Sequence, residues 1–529
     1  MANLAELERL LRAGRIGRRE FLARASLLGA ASLVAPSLMS ASARAAGPKK
    51  GGHFRVGLGH GSTTDTLDPA TFENGYTQVV GYGLRNHLTE VSNTGEIVPD
   101  IAESWDASDD AVTWSFKIRD GIAFHNGKTV TADDVVASIN HHRGADSKSA
   151  AKAILEAVTE IKTDGSDRVV FTLEAGNADF PYIVSDYHLA IMPAKDGGVD
   201  WQSGVGTGAF VLEGFEPGVR TTMKRNPNYW KQDRGHFDSA ELITITDVTA
   251  RTNALTTGEV DAIDRVDIKT VHLLKRKPNV RVEETSGTGH YTFAMRTDTP
   301  PFDNNDVRLA LKHGLDRETL LQTILRGHGY LGNDHPIGKP NRYFASELPQ
   351  RAYDPDKAKF HLKKAGLSSL KVDLSAADAA FAGAVDAAVL YKEHASQAGI
   401  DINVVREPND GYWSSVWMQK PWSAVYWGGR PTEDWMFSTA YADGAAWNDT
   451  FWKHERFNQL LVEARAELDE ARRGEMYFEM QRIVRDEGGV VVPLFNNYVF
   501  AMSTKVGHGT LGANWDLDGL KLLERWWFA

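Results

Sequence analysis

The sequence predicts an α/β protein with mixed sheets, folded as two or three domains. Short segments that alternate apolar and polar residues, the two-residue period of a half-buried strand, are interspersed with longer segments of helical period. At 529 residues the chain is too long for one ordinary core. An apolar fraction of 42% with 10% aromatics is that of a globular protein. No internal repeat, low-complexity tract or long linker divides the chain, so its domains must be joined through ordinary loops.

Taken in order, His53–Gly59 reads as a first strand after the flexible leader Gly47–Gly52. Thr113–Ile118 alternates as a half-buried strand, and Asp120-Gly121 and Asn126-Gly127 place turns on either side of Ile122–His125. Thr131 caps a helix over Val135–His142, with Asp133 and Asp134 in the first turn, where the helix dipole favours acids. Val169–Leu173 and Gly208–Leu212 read as strands. From residue 250 the pattern turns helical. Ala250–Thr257 closes at Gly258, Asp306–Leu315 is followed by Asp316–Leu325 with its own cap, and Asp354-Pro355 opens a helix that ends at Gly366. Phe457–Leu468 and Ala471–Arg485 are two further amphipathic helices.

The amino terminus reads as an export signal over residues 1–45. Arg18-Arg19 precede Phe21-Leu22, an apolar run spans Ala25–Ala35, and Ala43-Arg44-Ala45 forms a small-x-small cleavage site. The paired arginines mark the twin-arginine type, which exports folded chains. The apolar run falls short of the roughly 20 residues that a membrane span needs. There are no cysteines, so no disulfides and no lipid-bearing cysteine after the signal. The mature chain is therefore expected to be soluble in a periplasm. Residues 1–45 hold seven arginines and three glutamates, which takes the formal charge from −11 for the whole chain to near −15 for the mature one. That balance argues against nucleic acid and against anionic membrane surfaces.

Signals for catalysis fail one by one. No G-x-S-x-G nucleophile elbow is present, and there is no thiol. His454-Glu455-Arg456-Phe457-Asn458 resembles a zinc-protease box but ends in Asn. The neighbours His141 and His142 face different sides of a helix and are better read as its carboxy-terminal end. Gly57-Leu58-Gly59-His60-Gly61-Ser62 lacks the third glycine of a dinucleotide loop, and Gly204–Gly208 precedes a strand, not a helix. The chain is expected not to be an enzyme, and no cofactor or metal is implied.

Five segments, in order, resemble the extracytoplasmic solute-binding proteins of the peptide/nickel/opine class (family 5, dipeptide- and oligopeptide-binding). They are Ile101–Trp105 through Thr113–Gly127 into Thr131–Val135; Gly206–Phe210 with Arg225–Trp230; Ala254–Asp261; Pro301–Asp303 with Val307–Leu311 and Asp316–Glu318; and Tyr353–Ala358. The resemblance implies a two-lobe periplasmic binding protein fold with a hinge of two crossings. It places the larger lobe at 46–288 plus 494–529, with an extra subdomain at about 98–204, and the smaller lobe at 289–493. The crossings are expected near Ser286–His290 and Val492–Asn497. It also implies the receptor of an ABC importer, monomeric, that closes on a small molecule and docks on an inner-membrane permease. A sensory or chaperone-like binder and a periplasmic hydrolase are the rival readings.

In that family a Trp followed three residues later by an Asp anchors the ligand's ammonium. The matching stretch here is Val425–Trp435. Trp427 matches the Trp, and Arg430 stands in place of the Asp. A reversed charge in a closed cleft implies a ligand with an anionic group: an opine, a modified amino acid, another carboxylate-bearing metabolite, or a peptide bound differently. The competing expectation is that Arg430 pairs with Glu433 or Asp434 and braces its loop. Trp427 with Tyr426, and one of Tyr412 or Trp413, are expected in the cleft. Asn496 and Asn497 are expected to offer amides at the hinge, and Thr64 a hydroxyl from the loop after the first strand.

Overall fold

The computed structural model describes residues 48–144, 147–149, 151–409 and 412–529. The signal peptide expected over residues 1–45 lies outside them.

Two mixed sheets organise the chain. The first has seven strands in the order Phe210–Glu216, Arg220–Arg225, Ser239–Thr244, His53–Leu58, Ala262–Ile263, Tyr498–Ser503 and Val280–Thr285. His53–Leu58 lies parallel to both of its neighbours, and the remaining pairs are antiparallel. Phe54 and Val56 are fully buried, and Phe54 stacks on Phe237 with ring centroids 4.2 Å apart. The second sheet has six strands in the order Gly329–Leu331, Val490–Asn496, His290–Met295, Trp422–Trp427, Leu370–Ala376 and Ile400–Arg406. Apolar clusters cover both of its faces: Leu494 enters one and Val492 and Phe495 the other. A strand covered on both sides needs no polar face, which is why Val490–Phe495 carries an unbroken apolar run.

The extra subdomain is a four-stranded antiparallel sheet, Ala102–Ala107, Thr113–Ile118, Arg168–Leu173 and Val158–Thr163 in order. The period-two signal of Thr113–Ile118 has its expected result, since Trp114, Phe116 and Ile118 all point into one core. Thr131 and Asp134 form a reciprocal capping box on Ala132–Asn140. Gly258 closes Val248–Thr257 at φ 80°, a left-handed turn that glycine adopts without a side-chain clash. Pro355 opens Pro355–Lys364 with Asp354 as its cap.

The chain passes between the large sheets twice. Thr285 ends a strand of the first sheet and His290 begins one of the second. On the return, Asn496 ends a strand of the second sheet and Tyr498 begins one of the first. The crossings lie side by side, because Thr285 pairs with Tyr498 and His290 with Phe495. The resemblance implies that residues 494–496 belong to the larger lobe. Leu494 and Phe495 pair with Tyr291 and His290, and Asn496 pairs with Gly329, so all three lie in the second sheet and the return crossing falls at Asn497. A Cβ on Gly287 would sit 2.3 Å from the carbonyl oxygen of Asn496, so only glycine lets the crossings lie this close.

Candidate functional site

The strand Trp422–Trp427 ends at the hinge, and the loop Gly428–Thr432 follows it. A Cβ on Gly429 would overlap the Thr288 side chain, so glycine lets this loop lie directly on the first crossing. Thr432 then caps the helix Glu433–Ala440, its hydroxyl accepting from the Trp435 N–H at 3.3 Å. The amide of Asn341 holds the carbonyl of Arg430 at 3.2 Å. These restraints fix Arg430 in a small pocket between the lobes, with Tyr182 and Asn514 on the larger-lobe side and Asn341 and Arg342 on the other.

Arg430 braces its loop, but not through an acid. Its Nη1 donates to the carbonyls of Gly428 at 2.9 Å and Gly429 at 3.3 Å. Glu433 instead accepts the Tyr343 N–H at 2.7 Å, and Asp434 pairs with Arg465 at 3.0 Å. Among the described residues no carboxylate reaches Arg430. Burial lowers its pKa below the ordinary arginine value, with Tyr187 acting in the opposite direction. A half-buried guanidinium with only backbone carbonyls on one nitrogen retains donors for a further acceptor.

Beside this pocket, along the hinge, lies a cavity of about 390 Å³ lined by His60, Arg265, Asn496, Asn497, Trp515 and Asp516 among others. Two tyrosines join the spaces. Tyr187 lies near both Gln78 of the cavity wall and Arg430. Tyr498 lies near Thr288 of the Arg430 pocket, and burial pushes its pKa up to about 12. At the far end, burial raises the Asp516 carboxyl to about 7, with Asp264 adding to the rise. Arg265 donates to His60 Nε2 at 2.6 Å. Burial, then Arg265, lowers the pKa of that imidazole and favours its neutral form.

The residues expected at the site separate into three groups. Asn496 and Asn497 line the cavity, although the Asn497 amide already donates to Glu284 at 2.6 Å. Trp427 is buried, its indole donating to Asp449 at 3.3 Å, and Trp417 donates to the same oxygen at 3.1 Å. Tyr426 and Trp413 are partly exposed and pack edge to face at 5.5 Å, outside both spaces. Tyr412 is corrected to core. It is 1% exposed, its hydroxyl donating to the Ala424 carbonyl at 2.8 Å, because the short helix Tyr412–Ser415 turns that ring inward and leaves Trp413 facing out. Thr64 is likewise not brought to the cavity. It is exposed and bonds to Ser62 at 2.7 Å.

Residues that sequence reasoning missed are Tyr187, Tyr498, Trp515, Asp516 and Arg265. Only Tyr498, next to Asn497, carried a local signal. His454 caps a helix, its Nδ1 accepting from the Phe457 N–H at 3.1 Å. His141 pairs with Asp68 and His142 with Ser149, so they share no ligand. Among the described residues no cluster of His, Asp and Glu is arranged to hold a metal.

Comparison with known proteins gives this geometry a context. Residues 96–449 match the bacterial extracellular solute-binding proteins, family 5 (Middle). The di/tripeptide-binding protein 1 of Pseudomonas aeruginosa (strain UCBPP-PA14) is 25% identical over 516 residues, spanning 90% of this chain and 95% of that protein. Among solved structures, the PBP AgaA of A. tumefaciens R10 in complex with agropinic acid superposes with a TM-score of 0.70 at 22% identity, covering 90% of this chain and 99% of the other. HbpA2 of Haemophilus parasuis superposes at 0.78 with 20% identity, over 88% and 98% of the two chains. Two mixed sheets joined by paired crossings, a cavity along those crossings and a family match over more than half the chain lead to one conclusion: this protein belongs to the bacterial extracellular solute-binding proteins of family 5 and is a solute-binding receptor.

Proposed function

We propose that the protein is the periplasmic receptor of an ABC importer and captures a small solute that bears an anionic group, held by Arg430 as the lobes close. The observation that carries this is Arg430 itself, an interlobe guanidinium that, among the described residues, hydrogen-bonds to two carbonyls of its own loop and to no carboxylate. The planar fork of arginine matches a carboxylate or phosphate. Relatives named for binding di/tripeptides and agropinic acid agree with such a solute. The cavity of about 390 Å³ beside the Arg430 pocket has room for the body of a small solute. The protein acts by binding, as a monomer, with no covalent step. Native mass spectrometry of solute carried through purification tests the reading. A carboxylate- or phosphate-bearing molecule is expected, and a solute with no anionic group would overturn it.

The same reading includes export in folded form by the twin-arginine route, motivated by Arg18-Arg19 ahead of a short apolar run. Replacing both arginines with lysine is expected to leave uncleaved precursor in the cytoplasm. Normal periplasmic accumulation of that variant, followed by immunoblotting of cell fractions, would refute the route. Among the described residues no helix is long and apolar enough to cross a membrane.

A further inference from the structure

The lobes also meet away from the two crossings, where a segment of the extra subdomain reaches the smaller lobe. After the strand Arg168–Leu173 the chain runs through Gly176–Asp179 before turning into its own core at Phe180. The Ala178 N–H donates to the carbonyl of Arg465 at 2.7 Å, at the end of the smaller-lobe helix Glu455–Ala466. A Cβ on Gly176 would come within 2.9 Å of the Ala466 side chain, so the two surfaces meet at backbone distance. Asp179 pairs with Arg473 at 2.7 Å, and their side chains are 7% and 3% exposed. Arg473, on the helix Glu470–Glu487, is fixed from its own side by a 3.0 Å bond from Nε to the Ala464 carbonyl. Its guanidinium lies 5.7 Å from the Tyr343 ring and 5.4 Å from that of Tyr477.

This junction is linked to Arg430 through two short connections. Glu433, buried beside Asp179 and Arg473, holds the Tyr343 N–H and starts the helix that follows the Arg430 loop. Asn341, two residues before Tyr343, holds the Arg430 carbonyl.

We propose that Asp179 and Arg473 form an interlobe clamp, a second closure point that holds the lobes together and sets Arg430 in position for solute. The proposal rests on the reading of the chain as a receptor whose lobes close. A charge pair that is buried only when the lobes touch contributes to the closed state alone, because separation returns both groups to water. Removing one partner leaves the other charge enclosed and disfavours closure. Burial opposes the charge on Arg473, but Asp179 outweighs it and raises the arginine's pKa.

The chain has no cysteine, so Val219→Cys in the larger lobe and Phe360→Cys in the smaller, both at exposed side chains, accept spin labels at two unique sites. Interlobe distances are then measured by pulsed electron paramagnetic resonance on protein stripped of solute by unfolding and refolding. The labelled parent is expected to show a closed population, with a closed-to-open ratio at least tenfold lower in Asp179→Asn. Ala466→Leu, which places bulk on the smaller lobe against Gly176, is expected to act likewise without touching either charge. Both variants should keep the parent's far-ultraviolet circular dichroism. If Asp179→Asn fails to fold, Ala466→Leu decides. A parent with no closed population, or folded variants with the parent's distances, would overturn the clamp. Because no solute is present, either result is independent of whether Arg430 binds an anion.

Discussion

Arg430→Ala is expected to lose solute affinity by roughly 30-fold to several thousand-fold, the range for truncating one partner of an enclosed charge pair, about 2–5 kcal/mol. The fold should survive. Among the described residues the guanidinium bonds only to the carbonyls of Gly428 and Gly429, and the loop keeps its other restraints through Asn341, Thr432 and Gly429. Arg430→Lys should recover little affinity, since an ammonium cannot reproduce the two parallel donors of the fork. Isothermal titration with the solute identified by mass spectrometry, and with its carboxamide analogue, checks both points. The analogue should bind the parent as poorly as the native solute binds Arg430→Ala. Parent-like affinity in Arg430→Ala would reduce the residue to a brace for its own loop.

Glu433→Gln is expected to stabilise the protein at alkaline pH and to leave it unchanged in acid. The Glu433 carboxyl is 3% exposed, and burial pushes its pKa from 4.5 up to about 7, with the Tyr343 N–H opposing and Asp179 adding to the rise. The folded chain therefore holds a proton that the unfolded chain releases. Stability associated with this group is present below about pH 4.5 and is lost as pH rises through 7. The difference amounts to about 3 kcal/mol above pH 7, at 1.36 kcal/mol for each unit. Glutamine keeps the acceptor for Tyr343 and removes the charge, so its advantage should open between pH 4.5 and 7 and then level off. Guanidinium unfolding midpoints at pH 4, 6 and 8 provide the measurement. A constant offset between variant and parent across that range would show that Glu433 does not carry the titration.

The sequence by itself determined the elements and the family. Caps and turn residues act within a few positions of themselves, so the capping box of Thr131 with Asp134, the stop at Gly258 and the start at Asp354-Pro355 were all legible locally. Alternation in Thr113–Ile118 identified a half-buried strand for the same reason. The replacement at Arg430 was also visible in the chain, but what it bonds to was not. A charge three residues from Glu433 and four from Asp434 looks paired in sequence, whereas the fold turns one acid to the Tyr343 backbone and the other to Arg465. Tyr412 and Trp413 were equivalent as adjacent aromatics until the helix they begin set one in the core and the other at the surface. The cavity wall joins Asp516 to His60, and the clamp joins Asp179 to Arg473; each pair meets from distant parts of the chain. Tertiary structure alone decided those meetings, because they depend on how two sheets are placed across paired crossings, and no local periodicity encodes which residues that placement brings together.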